Sequence, residues 1–77
     1  MEELLRYLAR ALVDKRDEVK VDSFTEDDGT VVLELRVAED EVGRVIGRGG
    51  RTINALRAVI RAAAVKHEKR VLVDVID

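Results

Sequence analysis

The sequence predicts a small α+β fold in which three helices pack on one face of a three-stranded mixed sheet. Three patterns point to it. Leucines recur at helical spacing near the start, two runs of alternating apolar residues flank an acidic, glycine-containing turn, and two helical segments precede a last alternating run. The order read along the chain is α-β-β-α-α-β.

Leu4, Leu5, Leu8 and Leu12 share one helical face, and Glu2 and Glu3 sit near the positive end of that helix's dipole, which places a first helix over about 2–15. Val19, Val21 and Ser23 alternate with Lys20, Asp22 and Phe24 in a first strand. Val31, Leu33, Leu35 and Val37 alternate with Thr30, Val32, Glu34 and Arg36 in a second, the clearest in the chain. Glu26-Asp27-Asp28-Gly29 joins them as a hairpin turn in which Gly29 is free to take positive φ. A short helix over about 40–46 follows, with Asp40 as its cap and Val42, Val45 and Ile46 turned inward. Gly47 stops it. A longer helix over about 51–67 buries Ile53, Leu56, Ile60 and either Ala63 or Ala64. Val71, Val73 and Val75 alternate with Leu72, Asp74 and Ile76 in a last strand. The hairpin makes the first two strands antiparallel, whereas a two-helix crossover makes the last strand parallel to the second.

The length of 77 residues is read as one domain, 1–77, and an apolar content of 47% is enough for one compact core. There is no cysteine, hence no disulfide framework and no thiolate metal site. No signal-like start and no apolar stretch of about 20 residues is present, so the chain is expected to be soluble and cytoplasmic. The net charge of −2 hides an asymmetry: residues 1–41 hold 6 basic and 13 acidic side chains, whereas residues 42–70 hold 8 basic and 1 acidic. Local positive potential matters more to a phosphate-binding surface than the total. That basic segment also contains four of the five glycines.

The segment Val45-Ile46-Gly47-Arg48-Gly49-Gly50-Arg51-Thr52-Ile53 carries the chemistry. One helix ends, four residues turn, and the next helix begins. The amides that open that helix have no intrahelical partner and lie at a positive dipole end, where an anion is favoured. Arg48 projects from the loop tip between Arg44 and Arg51, so a passing phosphate meets amides and guanidinium forks together. Ile46 and Ile53 fit the floor of a groove for bases, and equally fit the core.

Ile-Gly-x-x-Gly-x-x-Ile, here Ile46 through Ile53, resembles the signature of KH domains, and the α-β-β-α-α-β order resembles their prokaryotic, type II arrangement. The resemblance spans the whole chain and is to the small bacterial single-KH proteins of the KhpA family. It implies a type II KH domain that binds single-stranded RNA, with the loop clamping the backbone of about four nucleotides. It also implies a post-transcriptional regulator or RNA chaperone, acting as a homodimer or with a Jag/KhpB-type RNA-binding partner. By position, Gly47, Arg48, Gly49 and Gly50 match the clamp, and Ile46 and Ile53 match the groove. Arg44, Arg51, Asn54 and Arg57 complete the expected RNA-binding set. Gly49 departs from the family pattern, where a polar or basic side chain is commoner. It is expected to loosen the loop and to remove one phosphate contact.

Other readings are weighed against this one. The rival function is a KH-like protein-interaction or dimerisation module with little nucleic-acid binding, to which the net charge and the extra glycine both lend weight. With only Tyr7 and Phe24 as aromatic residues, a base-stacking platform has little support. No Gly-x-x-x-x-Gly-Lys-[Ser/Thr] occurs, which counts against a P-loop. Gly43 is read first as a site of close packing and second as a place for close approach of a nucleotide. Arg57 and Arg61 extend the phosphate track or form a solvated face. Asn54 contacts a base edge or is an ordinary exposed position. His67 has no companion ligand, Ser23 no base, and the carboxylates of residues 14–41 read as solvated surface. No catalytic residue, metal or cofactor is expected. Ala58, Ala62 and Val65 form an outer stripe on the long helix, either plain surface or a place where two copies meet.

Overall fold

A computed structural model describes residues 1–76. It contains α1 (Glu2–Arg10), β1 (Lys20–Thr25), β2 (Val31–Arg36), α2 (Val42–Ile46), α3 (Arg51–Lys66) and β3 (Val71–Ile76), with single 3₁₀ turns at Arg16–Glu18, Glu39–Glu41 and Arg48–Gly50. The strands lie in the order β1-β2-β3, the first pair antiparallel and the second parallel, as expected. The expected α-β-β-α-α-β arrangement is therefore the one observed.

Strand alternation sends Val21, Leu33, Leu35, Val71 and Val73 to the face that meets the helices. α1 adds Leu5 and Ala9, α2 adds Val45, and α3 adds Ile53, Leu56, Ile60 and Ala64. Leu5, Leu33, Leu35, Val45 and Ile60 are fully buried. Burial of Ala64 rather than Ala63 resolves the choice left open by periodicity. The hairpin closes through Glu26 N–H to Thr30 O (2.8 Å) and Thr30 N–H to Asp28 Oδ1 (2.9 Å), with Gly29 at φ 90°. No described helix is long and apolar enough to cross a membrane.

Four local expectations need correction. The first helix ends at Arg10 instead of near 15, because the amides of Asp14 and Lys15 are bound elsewhere: Glu41 accepts from them through Oε2 (2.6 Å) and Oε1 (3.0 Å). Asp40 does not cap α2. It pairs with the Lys15 ammonium at 2.9 Å, and Glu41 takes the N-cap position without a side-chain cap bond. Ile46, expected to turn inward, is 36% exposed, since a five-residue helix buries only Val45 fully. Gly43, expected in close packing, is exposed, and a Cβ built there meets nothing within 4 Å.

Candidate nucleic-acid interface

The link between α2 and α3 is built by glycine geometry. Gly47 has φ 77° and ψ 169°, a backbone region reached essentially by glycine alone. Its missing Cβ also makes room for a neighbour: a Cβ at Gly47 would lie 2.8 Å from Thr52 Cβ and 2.9 Å from Thr52 N, and closer still to Thr52 Oγ1. Thr52, which sequence reading passed over, thus seats its side chain against the inside of the turn. A threonine in a glycine loop carries no sequence signal of its own; only the fold brings it there. Gly49 is left-handed, at φ 65° and ψ 18°, with open space where a Cβ would go. The third glycine therefore serves a defined left-handed turn.

The loop's amides are only partly free. Gly47 N–H donates to Gly43 O (2.9 Å), Gly50 N–H to Gly47 O (3.1 Å), and Arg51 N–H to Arg48 O. The amides of Arg48 and Gly49 have no partner among the described residues. The expectation of a bare row of amides opening α3 is corrected accordingly: the turn's own carbonyls take two, and the free pair sits at the tip. Among the described residues no carboxylate accepts from it, and the first turn of α3 contains no acidic residue. At 16 residues, α3 has a full dipole whose positive end points into this tip.

The fold places the expected side chains in two groups. Arg48, Gly49 and Arg51 are exposed, with Ile46 half-open and Gly47 and Gly50 partly covered at the same corner. Arg44 is exposed but engaged: one guanidinium nitrogen lies 3.3 Å from both Asp14 Oδ2 and Glu41 Oε2. Arg57 is partly buried and reaches across from α3 to β3, donating from Nε to Val73 O at 3.1 Å. It also approaches Asn54 Oδ1 at 3.4 Å, so these two are tied together along the helix. Ile53 is 5% exposed and belongs to the core. Ala58, Ala62 and Val65 lie on the exposed side of α3, with Val65 73% exposed.

Beside them, Leu8, Ala11 and Leu12 of the first helical region and Thr52, Ala55, Leu56 and Val59 of α3 line a shallow apolar groove of about 240 Å³. Among the described residues, no group of three histidine, cysteine, aspartate or glutamate side chains is arranged to hold a metal ion.

Comparisons with known proteins place the chain in a family. The model of the KhpA/KhpB KH domain matches residues 2–75. A protein of Clostridium acetobutylicum named RNA-binding protein KhpA is 49% identical, the match covering 99% of this chain and all of that one. Its namesake in Halalkalibacterium halodurans is 47% identical with both chains covered in full, and that of Aquifex aeolicus is 39% identical, covering all of this chain and 96% of its own. No solved structure matches significantly. Matched along nearly all its length, the chain belongs to the KhpA/KhpB KH-domain family.

Proposed function

We propose that this chain is a non-catalytic, cytoplasmic RNA-binding protein that clamps the backbone of single-stranded RNA with the loop Gly47-Arg48-Gly49-Gly50. The observation that carries the reading is the pair of amides at Arg48 and Gly49, without a partner among the described residues and set at the positive end of α3, whose first turn has no acidic residue. Phosphate oxygens accept from those amides, and the exposed Arg48 and Arg51 guanidinium groups add charge-assisted bonds. Ile46, half-open beside the loop, offers an aliphatic surface to a base. Arg57 and Asn54 act from the groove side, with Arg57 holding the α3 and β3 walls together through Val73 O. Arg44 contributes to phosphate binding only by exchanging Asp14 for the phosphate, which makes its share smaller than that of Arg48.

The relatives named RNA-binding protein KhpA support the class of ligand. In this reading the chain works as a post-transcriptional regulator or RNA chaperone, as a homodimer or together with a Jag/KhpB-type partner, because one small contact surface gains avidity from a second. The exposed Ala58, Ala62 and Val65 stripe is the proposed contact between copies.

The test replaces Arg48 and Gly49 together with Asp. The open space at Gly49 and the tolerance of Asp for left-handed φ keep the fold intact, while two carboxylates face the phosphates. Anisotropy with labelled single-stranded RNA should show binding abolished, and the parent's log affinity should fall with log salt by a slope of roughly −0.7 per phosphate neutralised. Unchanged affinity in the variant rules the loop out as the grip. A parent that forms a stable dimer yet ignores RNA at low salt would instead favour a protein-interaction module.

A further inference from the structure

The sheet face away from the helices is organised into rows by strand register. Phe24, Val32 and Leu72 are cross-strand partners, as are Asp22, Glu34 and Asp74, and next Lys20, Arg36 and Ile76. The helices cover only the opposite face. Val32 is nevertheless just 5% exposed, because Phe24 and Leu72 flank it while remaining 47% and 43% exposed themselves. The first row is therefore a continuous apolar strip. The second is a row of carboxylates on neighbouring strands, about 5 Å apart. None of the three makes an ion pair or a side-chain hydrogen bond among the described residues. Like charges in register across a sheet destabilise it, and Lys20 and Arg36 one row along, which form no ion pair with these carboxylates among the described residues, offset this only from the diagonal.

From these rows we infer that the open sheet face is a docking surface for a basic amphipathic helix of a partner protein. The two rows lie two residues apart along the strands, about 7 Å. A helix with its side chains is about 10–12 Å across, so one helix laid across the strands covers both rows at once. Its apolar residues then meet Phe24, Val32 and Leu72, and lysines or arginines on its flank meet Asp22, Glu34 and Asp74. Charge complementarity selects this occupant. RNA would bring phosphates against carboxylates. A second copy stacked with its strands parallel to these would set carboxylate row on carboxylate row. The basic loop lies between α2 and α3 and the acidic row lies on the uncovered side of the sheet, so the two binding faces are separate.

The experiment titrates the ¹⁵N-labelled full chain with two synthetic 18-residue helical peptides sharing one leucine stripe, flanked by lysines in one and by glutamates in the other. The lysine peptide should move the amide signals of Phe24, Val32, Leu72, Asp22, Glu34 and Asp74, and bind at least about tenfold more tightly than the glutamate peptide. Glu34→Lys should weaken the lysine peptide by about tenfold or more. Asp22→Lys, on an edge strand, provides the same reading should the central substitution disturb the fold. The Arg48→Asp/Gly49→Asp chain should bind this peptide as the parent does, which separates this face from the RNA-binding reading. The inference is overturned if the lysine peptide leaves these signals in place, or if both peptides bind alike. It is also overturned if single-stranded RNA moves the same signals, or if they shift with protein concentration alone, which would assign the face to a second copy.

Discussion

Replacing Gly47 with alanine separates what the loop's backbone requires from what its space allows. At φ 77° and ψ 169° an alanine is held in a region that costs of order 1–3 kcal/mol. The new methyl also lies 2.8 Å from Thr52 Cβ and 2.9 Å from Thr52 N, and relieving such overpacking costs about 1–3 kcal/mol more. Gly47→Ala should therefore destabilise by about 2–6 kcal/mol, a large share of the roughly 4–12 kcal/mol typical of a chain this size.

Gly49→Ala is the internal control. Its φ of 65° costs about 1–2 kcal/mol, and its methyl meets nothing within 4 Å. The midpoints of the two ranges differ by about 2.5 kcal/mol, so at about 4–8 °C per kcal/mol in a domain of this length Gly47→Ala should melt about 10–20 °C below Gly49→Ala when circular dichroism follows both at equal concentration. Thr52→Gly in the Gly47→Ala background should return part of the loss, since it removes Oγ1 and Cβ but leaves the Thr52 nitrogen and the backbone strain. Equal melting temperatures for the two alanine variants, or no rescue from Thr52→Gly, would refute the assignment of Gly47 to a strained turn packed against Thr52.

Three further outcomes follow from particular contacts. Glu41→Ala removes the acceptor of the Asp14 and Lys15 amides and should cost about 2–4 kcal/mol in urea melts, whereas Asp40→Ala, which loses only an exposed pair, should leave the midpoint nearly unchanged. Equal effects would show that burial of Glu41 does not matter. The carboxyls of Asp28 and Asp40 are held below their ordinary value of 3.8, Asp28 first by the Thr30 amide and Asp40 first by its bond from Lys15. A depressed folded value stabilises above the unfolded one and is lost as pH falls through the folded one, so these two contributions should be constant near neutrality and disappear below about pH 3.8. Asp28→Asn and Asp40→Asn should accordingly flatten the acid limb of a stability–pH curve, and a limb as steep as the parent's would contradict it. Ala62→Glu sets carboxylates face to face if α3 pairs with its copy, so light scattering should return monomers; a persisting dimer excludes this stripe.

Much of the fold was legible because its information is local. Alternation over Val31–Val37 and over Val71–Ile76 marked β2 and β3 within a residue, and the apolar spacing of Ile53, Leu56 and Ile60 marked the buried face of α3. The ends of α1 and α2 were less legible. Leu12 continues the helical spacing past Arg10, but the chain leaves the helix where Glu41, distant in sequence, binds the next amides. Asp40 looked like a cap by type and position, yet Lys15 reaches it from the other side of the same junction.

The glycine spacing by itself determined that a sharp turn between helices would carry exposed arginines. A backbone without Cβ atoms and a cluster of like charges are both properties of composition and order. Which amides stay free was settled by the folded path of the turn, and which guanidinium groups stay free only by tertiary structure. Gly50 and Arg51 spend their amides on carbonyls of the turn, Arg48 and Gly49 keep theirs, and Arg44 and Arg57 are drawn to Asp14 and Val73. A donor's availability depends on every acceptor within about 3 Å: for Gly50 and Arg51 it lies three residues back in the same turn, whereas for Arg44 and Arg57 it lies in a part of the chain that only folding brings close.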